Sequence, residues 1–330
     1  MKKALIISII IFVASLIAFG VSVAVTGVTE GRIAVALGNY EEEKDGYSKE
    51  YTFTEKFTDI DIDSFVGEVT ISVADVEAAE VYYDCYSAGT SFDAYVKNGK
   101  LMIKEDGKIL LSLINMDFAD NESTIEIVLP AKDYGKVMIE SESGDIEITD
   151  LICDSFESVT LSGDTEYSIF AEEIIVKTTS GCVNVENCTD RKADFLKVSS
   201  VSGEHSVTGF KTKKYDFYTT SGTIDVYGLS GEGIVNLTSG DINIEFEEWD
   251  GDMKIDAVSG DVDVTLPDES GVIVELDAVS GGVDVDLYTE EEDRTTDSYI
   301  SGSNTSGVIG GKNVNRVDVD LVSGDISIHN

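Results

Sequence analysis

The sequence predicts an all-β protein, a parallel β-solenoid with rungs of about 20 residues, preceded by one N-terminal transmembrane helix. Three observations predict this architecture. A Ser-Gly unit recurs through the second half of the chain, apolar residues alternate on both sides of each unit, and the residues from Ala4 to Thr29 carry no charge. Alternating apolar residues are typical of strands with one buried face. The chain is therefore expected to divide into an anchor and an elongated β domain.

The amino terminus has the features of a membrane anchor. Lys2 and Lys3 precede the uncharged stretch, and residues 1–29 are long enough for a span, since about 20 apolar residues cross a bilayer. Ser22-Val23-Ala24 could also serve as a signal-peptide cleavage site, so an anchor or uncleaved signal is favoured over a cleaved one. The positive-inside rule then places the carboxy-terminal domain outside the cell membrane, in a single-pass topology. Residues 30–50 have no clear apolar period and are expected to form a stalk or linker.

Residues 51–130 are expected to be a β-rich N-terminal part that caps the solenoid. This region contains short strand-like runs, such as DIDIDSF and EVTISV. It also contains several aromatic residues, which could either pack inside a β cap or form a platform for carbohydrate or peptide: Tyr82, Tyr83, Tyr86, Phe92 and Tyr95. Packing is the favoured interpretation.

Residues 131–330 carry the repeat. Its glycines are Gly144, Gly163, Gly181, Gly203, Gly222, Gly240, Gly260, Gly281 and Gly324. In most copies, apolar residues lie five positions before the glycine and two and four positions after it, so the parity changes there. A strand changes parity only at a bulge or corner, which glycine permits. Each repeat is therefore predicted to be two strands joined at a Ser-Gly corner, and successive repeats are predicted to stack in parallel. An apolar group seven positions after the glycine is expected to plug the next corner, at Leu151, Phe170, Cys188, Phe210 and Leu229.

The carboxy-terminal end of the stack has no evident cap. The run from 289 to 299 is predicted to be an exposed loop, and the chain stops shortly after the last repeat strand. Unless residues 289–305 fold over it, the carboxy-terminal rung is expected to pair with another chain. The sequence therefore predicts a homo-oligomer that forms through this rung.

The net charge of −41, from 64 acidic and 23 basic residues, excludes several partners. Nucleic acid and anionic lipid would be repelled, whereas metal cations, cationic peptides and basic protein patches would be attracted. Outward positions one and three after the glycine often hold carboxylates, which in-register stacking would align. The repulsion between the carboxylates of such a ladder could be relieved by Ca²⁺ or Mg²⁺ bound at Asp241, Asp261 and Asp263. Alternatively, the ladder could be a solvated acidic face. The solvated face is favoured, and no other cofactor is expected.

Catalysis is not expected. The only histidines are His205, predicted at the surface, and His329, and no Ser-His-Asp or Cys-His motif occurs. Periodic carboxylates would suit a polysaccharide lyase or hydrolase only with a basic clamp, and arginine is scarce. Cys182 and Cys188 could form a disulfide or remain half-buried thiols. Trp249 could anchor a cationic peptide, although a corner plug is favoured.

The repeated S-G-D-[IV]-x-[IV] units, the Leu129-Pro130 motif and the closing NRVDVDLVSGDISI together resemble the bacterial "putative adhesin" domain family, a domain of unknown function. The likeness covers residues 55–330. The resemblance implies a membrane-anchored binding or structural module of the cell envelope, of a type associated with envelope stress. An envelope protein, a cationic peptide or a glycan would be its partner. The alternatives are a surface adhesin or assembly protein and, third, a carbohydrate-active β-helix enzyme.

Overall fold

The computed structural model describes residues 46–85, 90–107, 123–291, 294–302, 304–309 and 312–330. This part of the chain is all-β, which confirms the predicted class. It contains no helix that is long and apolar enough to cross a membrane. The predicted anchor, residues 1–29, and most of the predicted stalk lie outside the described residues.

Twenty-four strands belong to one hydrogen-bonded sheet. The amino-terminal strands are β1 (Tyr47–Phe53), β2 (Asp59–Ser64), β3 (Gly67–Ala74), β4 (Ala79–Cys85), β5 (Thr90–Lys97), β6 (Lys100–Gly107), β7 (Ser123–Pro130) and β8 (Tyr134–Ser143). The repeat strands are β9 (Ile146–Ser162), β10 (Thr165–Ser180), β11 (Val183–Asn187), β12 (Ala193–Ser202), β13 (His205–Thr208), β14 (Lys211–Ser221), β15 (Ile224–Ser239), β16 (Ile242–Phe246), β17 (Met253–Ser259) and β18 (Val262–Thr265). The carboxy-terminal strands are β19 (Ser270–Ser280), β20 (Val283–Glu291), β21 (Arg294–Gly302), β22 (Asn304–Ile309), β23 (Lys312–Ser323) and β24 (Ile326–His329).

Each rung has a leading segment, which ends at the serine of the Ser-Gly corner, and a trailing segment, which begins two residues after the glycine. The long strands β9, β10 and β15 bend and contribute one segment of each kind. Leading segments pair in parallel with leading segments, as in Val176 with Val198, and trailing with trailing, as in Ile146 with Thr165. Because the register aligns equivalent residues, every outward position forms a column along the stack. We call the outward side chains of these segments the leading face and the trailing face.

The corner glycines stack directly on one another. Gly222 has a φ of 134°, and a Cβ atom built on it would lie 1.8 Å from the carbonyl oxygen of Gly203. No side chain fits that gap, so the Ser-Gly corner is required by both backbone conformation and close approach. The same contact links Gly324 to Gly260 and Gly281 to Gly324, which fixes the spatial order of the last rungs.

The core lies between the two faces and is filled by the inward residues of both segments. Val, Ile and Leu dominate the ladders, and the predicted corner plugs Leu151, Phe170, Phe210 and Leu229 are buried, whereas Cys188 is half-buried. The middle of the core is partly polar. His205 is fully buried there, its Nε2 lies 2.7 Å from the Ser200 hydroxyl, and that hydroxyl lies 2.8 Å from the one of Thr219.

The amino-terminal end of the stack is closed by chain reversal. The β6–β7 rung lies outside the β2–β3 rung although it follows it in sequence, and antiparallel β5, β4 and β1 complete the closure. The buried Glu105 carboxylate stabilises this first corner, accepting hydrogen bonds from the backbone N–H groups of Phe65, Val66 and Gly67 at 2.9–3.0 Å. Strand β1 begins at Tyr47, so the described end of the predicted stalk, residues 46–50, already enters the sheet.

The carboxy-terminal end differs from the prediction in two respects. The last rung in sequence, β23–β24, lies between β17–β18 and β19–β20 and pairs in parallel on both sides. The final strand is therefore not an open edge, and the reason for expecting it to pair with another chain is wrong. The predicted loop at 289–299 is also wrong, because its described residues form antiparallel β20–β21, and β22 pairs with β19.

Candidate functional site

Among the described residues, the trailing face carries no lysine or arginine. Its carboxylates are Glu126, Glu147, Glu166, Glu186, Asp225, Glu245, Asp263, Asp284 and Asp286. Serine, threonine, asparagine, Tyr227 and His329 fill the positions between them. Carboxylates are mostly separated by a neutral neighbour, as in the column Asp225, Asn243, Asp263, Ser327 and Asp284. This spacing weakens the repulsion between them, because the Coulomb energy falls with distance.

The leading face carries cations as well as anions. Three of its lysines pair with carboxylates of the neighbouring rung and one with a carboxylate of its own strand. These ion pairs are Lys177–Glu157, Lys197–Asp216, Lys214–Glu232 and, within β17, Lys254–Asp256, at 2.5–3.2 Å. Exposed pairs of this kind contribute little to stability. They neutralise parts of this face, whereas the described part of the trailing face has no lysine or arginine that could do the same.

The predicted metal residues do not converge. Asp241 and Asp261 lie in the corner column, where each Oδ1 accepts a hydrogen bond from the backbone N–H one rung further, of Asp261 and Asp325 respectively, both at 2.9 Å. Asp263 lies on the trailing face instead, with its Oδ1 3.4 Å from the His329 Nδ1. Among the described side chains, no group of three or more His, Cys, Asp or Glu could hold a metal ion. Capping of the next rung gives these aspartates a role that needs no cation.

A groove with a volume of about 450 Å³ opens on the leading face across β12, β14, β15, β17 and β23. Its floor includes Tyr215, which is almost fully buried, and Ile234, which is 46% exposed. Gly233 makes this floor possible, because a Cβ there would lie 2.3 Å from the Tyr215 ring. The rim carries both signs of charge: Lys214, Asp216, Glu232, Asp252, Lys254, Arg316 and Asp318.

One carboxylate of the groove stands apart from the others. Lys254 turns its Nζ to Asp256, and Arg316 turns its Nη1 to Glu275 at 3.3 Å, although both cations flank Asp318. Among the described residues, no hydrogen bond or ion pair reaches the Asp318 carboxylate. Burial raises the pKa of this group. Lys254 and Arg316 lower it and Glu275 and Asp256 raise it, and the net shift is upward. Sequence reasoning missed this groove because its residues come from rungs far apart in the chain.

Other predicted residues take structural positions. His205 is buried, which contradicts its predicted surface location, because it occupies the inward column between Val183 and Ile224. Trp249 is buried, with its Nε1 donating to the Gly271 carbonyl at 3.0 Å.

The aromatic group and the cysteines are also placed by packing. Tyr83 and Phe92 stack 4.0 Å apart inside the amino-terminal cap, whereas Tyr86 lies outside the described residues. Cys182 is exposed, Cys188 is half-buried, and no disulfide joins the four cysteines, all of which lie in the described part of the chain.

Comparison with known proteins identifies relatives of this architecture. The family model described as Toastrack DUF4097 matches residues 57–329. A solved "putative lipid binding protein" from Parabacteroides distasonis is 13% identical, with 87% of this chain and 97% of that chain covered and a TM-score of 0.41. A "putative adhesin" from Bacteroides fragilis is 12% identical over 86% and 98%, with a TM-score of 0.36. A "putative cell adhesion protein" from Clostridium sporogenes is 15% identical over 86% and 99%, with a TM-score of 0.22. No curated protein matches the chain.

Proposed function

Because this chain belongs to the Toastrack DUF4097 family, we propose that it is a non-catalytic binding module of the bacterial cell envelope. Residues 1–29 would anchor it in the cell membrane, and the solenoid would lie on the extracytoplasmic side. The trailing face supports this proposal, since its described part aligns carboxylates over many rungs and has no lysine or arginine. A rigid negative surface of this kind attracts a cationic partner and discriminates by charge.

A cationic amphipathic peptide is the partner that this face suits best. An extended row of carboxylates can contact several lysine or arginine side chains at once, and Tyr227, which is 47% exposed, offers an aromatic ring to a cation. Each contact would be weak in salt, so affinity would come from their number. This mode of binding would suit a sensor of envelope stress.

Charge reversal on the two faces tests the proposal. Glu166→Lys with Glu245→Lys places two cations on the trailing face, while Glu173→Lys with Asp277→Lys makes the same change in net charge on the leading face. With the full-length chain at 150 mM salt, we expect the first pair to weaken peptide binding at least tenfold and the second pair less than threefold. Equal losses would show that only the total charge matters and would overturn the assignment of this face.

The membrane topology needs a separate test. In cells, the chain is expected to stay with membranes through alkaline carbonate extraction, and an external protease is expected to digest the solenoid. Recovery of the chain as a soluble species in the medium would instead favour the second candidate, a surface adhesin or assembly protein. Cleavage of a cell-wall glycan by the purified chain would be required for the third, a carbohydrate-active enzyme.

A further inference from the structure

The groove on the leading face has the dimensions of a small-molecule site. Its volume of about 450 Å³ lies within the range of about 300–1,000 Å³ that is typical of ligand pockets. It lies on the leading face, so it is separate from the surface assigned to a cationic peptide. Most of the exposed surface that lines the groove is apolar, and the Ile234 side chain contributes to it, whereas charged side chains lie at the rim.

Most charged side chains of the rim have a partner within the protein. Lys214 forms an ion pair with Glu232 at 3.2 Å, and Asp216 forms one with Lys197 at 2.5 Å. Asp252 accepts a hydrogen bond from the Arg316 backbone N–H at 2.8 Å. These groups satisfy one another and still expose donors and acceptors to the groove. A ligand that combines an apolar face with hydroxyl groups, as a sugar ring does, can contact both the apolar lining and these donors and acceptors.

Asp318 has no such partner within the described part of the chain. It lies in register between Lys254 and Glu275, and Lys254 is engaged by Asp256. Burial raises the pKa of Asp318 although Lys254 and Arg316 lower it, so a ligand cation in contact with the carboxylate would further favour its charged form. One ammonium group of a ligand is enough to form an ion pair with this carboxylate.

We propose that this groove binds a glycan with a free amino group, in which the ammonium of one amino sugar contacts Asp318. The sugar ring lies over Ile234, and its hydroxyl groups contact the charged pairs of the rim. An N-acetylated sugar lacks the positive charge and adds a bulkier group, so it binds less well. Recognition of this kind would let the module distinguish deacetylated from acetylated glycans.

Binding of three probes to the full-length chain at 150 mM salt tests the proposal. A glucosamine trimer is compared by calorimetry with the N-acetylglucosamine trimer and with trilysine, which has the ammonium groups but not the sugar. We expect the glucosamine trimer to bind at least tenfold more tightly than either of the others. Equal binding of the acetylated trimer would overturn the recognition of the amine, and equal binding of trilysine would overturn the assignment to a sugar.

Two matched variants locate the site. Asp318→Asn is expected to weaken binding of the glucosamine trimer at least tenfold, because a charge-assisted hydrogen bond is lost. Asp284→Asn removes the same charge from the trailing face and is expected to change the affinity less than twofold. Similar losses in both variants, or no loss in Asp318→Asn, would overturn the site. Unchanged thermal unfolding of both variants would verify that they fold, and the peptide-binding result is independent of all these outcomes.

Discussion

The buried His205 makes the stability of the solenoid dependent on pH in a way that can be isolated by one substitution. Its ring occupies an inward column between Val183 and Ile224, and its Nε2 is hydrogen-bonded to the Ser200 hydroxyl. Its Nδ1 is buried and has no hydrogen bond among the described residues. Burial lowers the pKa of His205 to about 4. His205→Val continues the column with the residue type of its neighbour and leaves Ser200 bonded to Thr219.

The sign and size of the effect follow from linkage. The unfolded chain binds a proton at His205 with a pKa of about 6.5, and the folded chain with a pKa of about 4. Between these values the unfolded state binds more protons, so acidification favours unfolding and the stabilising contribution is complete only above pH 6.5. From pH 7.5 to pH 5 the histidine should cost about 2 kcal/mol of the free energy of unfolding, since one pKa unit corresponds to about 1.4 kcal/mol.

Chemical denaturation of the wild type and His205→Val at both pH values measures this quantity. The many carboxylates titrate in both proteins, so their effect cancels in the difference between the two changes. On acidification from pH 7.5 to pH 5, we expect the free energy of unfolding of His205→Val to fall by about 2 kcal/mol less than that of the wild type. Parallel pH dependences, with a difference below about 0.5 kcal/mol, would refute the burial of a neutral histidine at this position.

Four further predictions address the ends, the corners, the aspartates and the last rung. Glu105→Ala should lower the free energy of unfolding by about 3–5 kcal/mol in denaturation experiments, because it leaves buried N–H groups without an acceptor. Glu105→Gln should lower it by less than half as much. Equal losses in the two variants would contradict the proposed hydrogen bonding. Gly222→Ala should lower the free energy of unfolding by about 3 kcal/mol or more. Gly99→Ala should lower it by about 1 kcal/mol, because no atom beyond the chain neighbours lies within 4 Å of the added Cβ. Similar unfolding midpoints for the two variants would contradict the corner stacking. Millimolar Ca²⁺ or Mg²⁺ should raise the unfolding temperature no more than monovalent salt of equal ionic strength, and a larger rise that is lost in Asp261→Asn would identify a metal site. Deletion of residues 312–330 should remove an internal rung and cause aggregation in size-exclusion chromatography, and a stable monomer would contradict the observed rung order.

Local features of the sequence predicted the fold well because they are repeated. The parity change at each Ser-Gly unit required a corner, and the stacked glycines provide the physical reason for it, as Gly222 and Gly203 demonstrate. The order of the rungs at both ends could not be predicted in the same way. Any repeat can pair with any other through equivalent backbone groups, so the insertion of β23–β24 between earlier rungs depends on pairing energies that no single repeat encodes.

The candidate site was less predictable than the fold. Outward positions one and three after the glycine were identified correctly from parity, whereas His205, two positions after Gly203, was wrongly assigned to the surface. The partners of the outward side chains depend on neighbouring rungs. Asp241 and Asp261 resemble Asp263 in sequence, yet the first two cap backbone N–H groups and the third contacts His329. Asp318 looked like one more aspartate of a strand. Its distinctive feature, the lack of a partner beside two engaged cations, exists only once β17, β19 and β23 are adjacent.

The closure of both ends limits where a partner can bind. A parallel stack exposes unpaired backbone groups at its first and last rungs, and such edges readily recruit further strands. Here antiparallel strands cover the terminal parallel rungs at both ends, β1, β4 and β5 at one and β21 and β22 at the other. Growth of the stack by simple addition of another parallel rung is therefore disfavoured. The side-chain faces remain as the extended surfaces with distinct chemistry, which is why the tests of function compare the trailing face with the leading face.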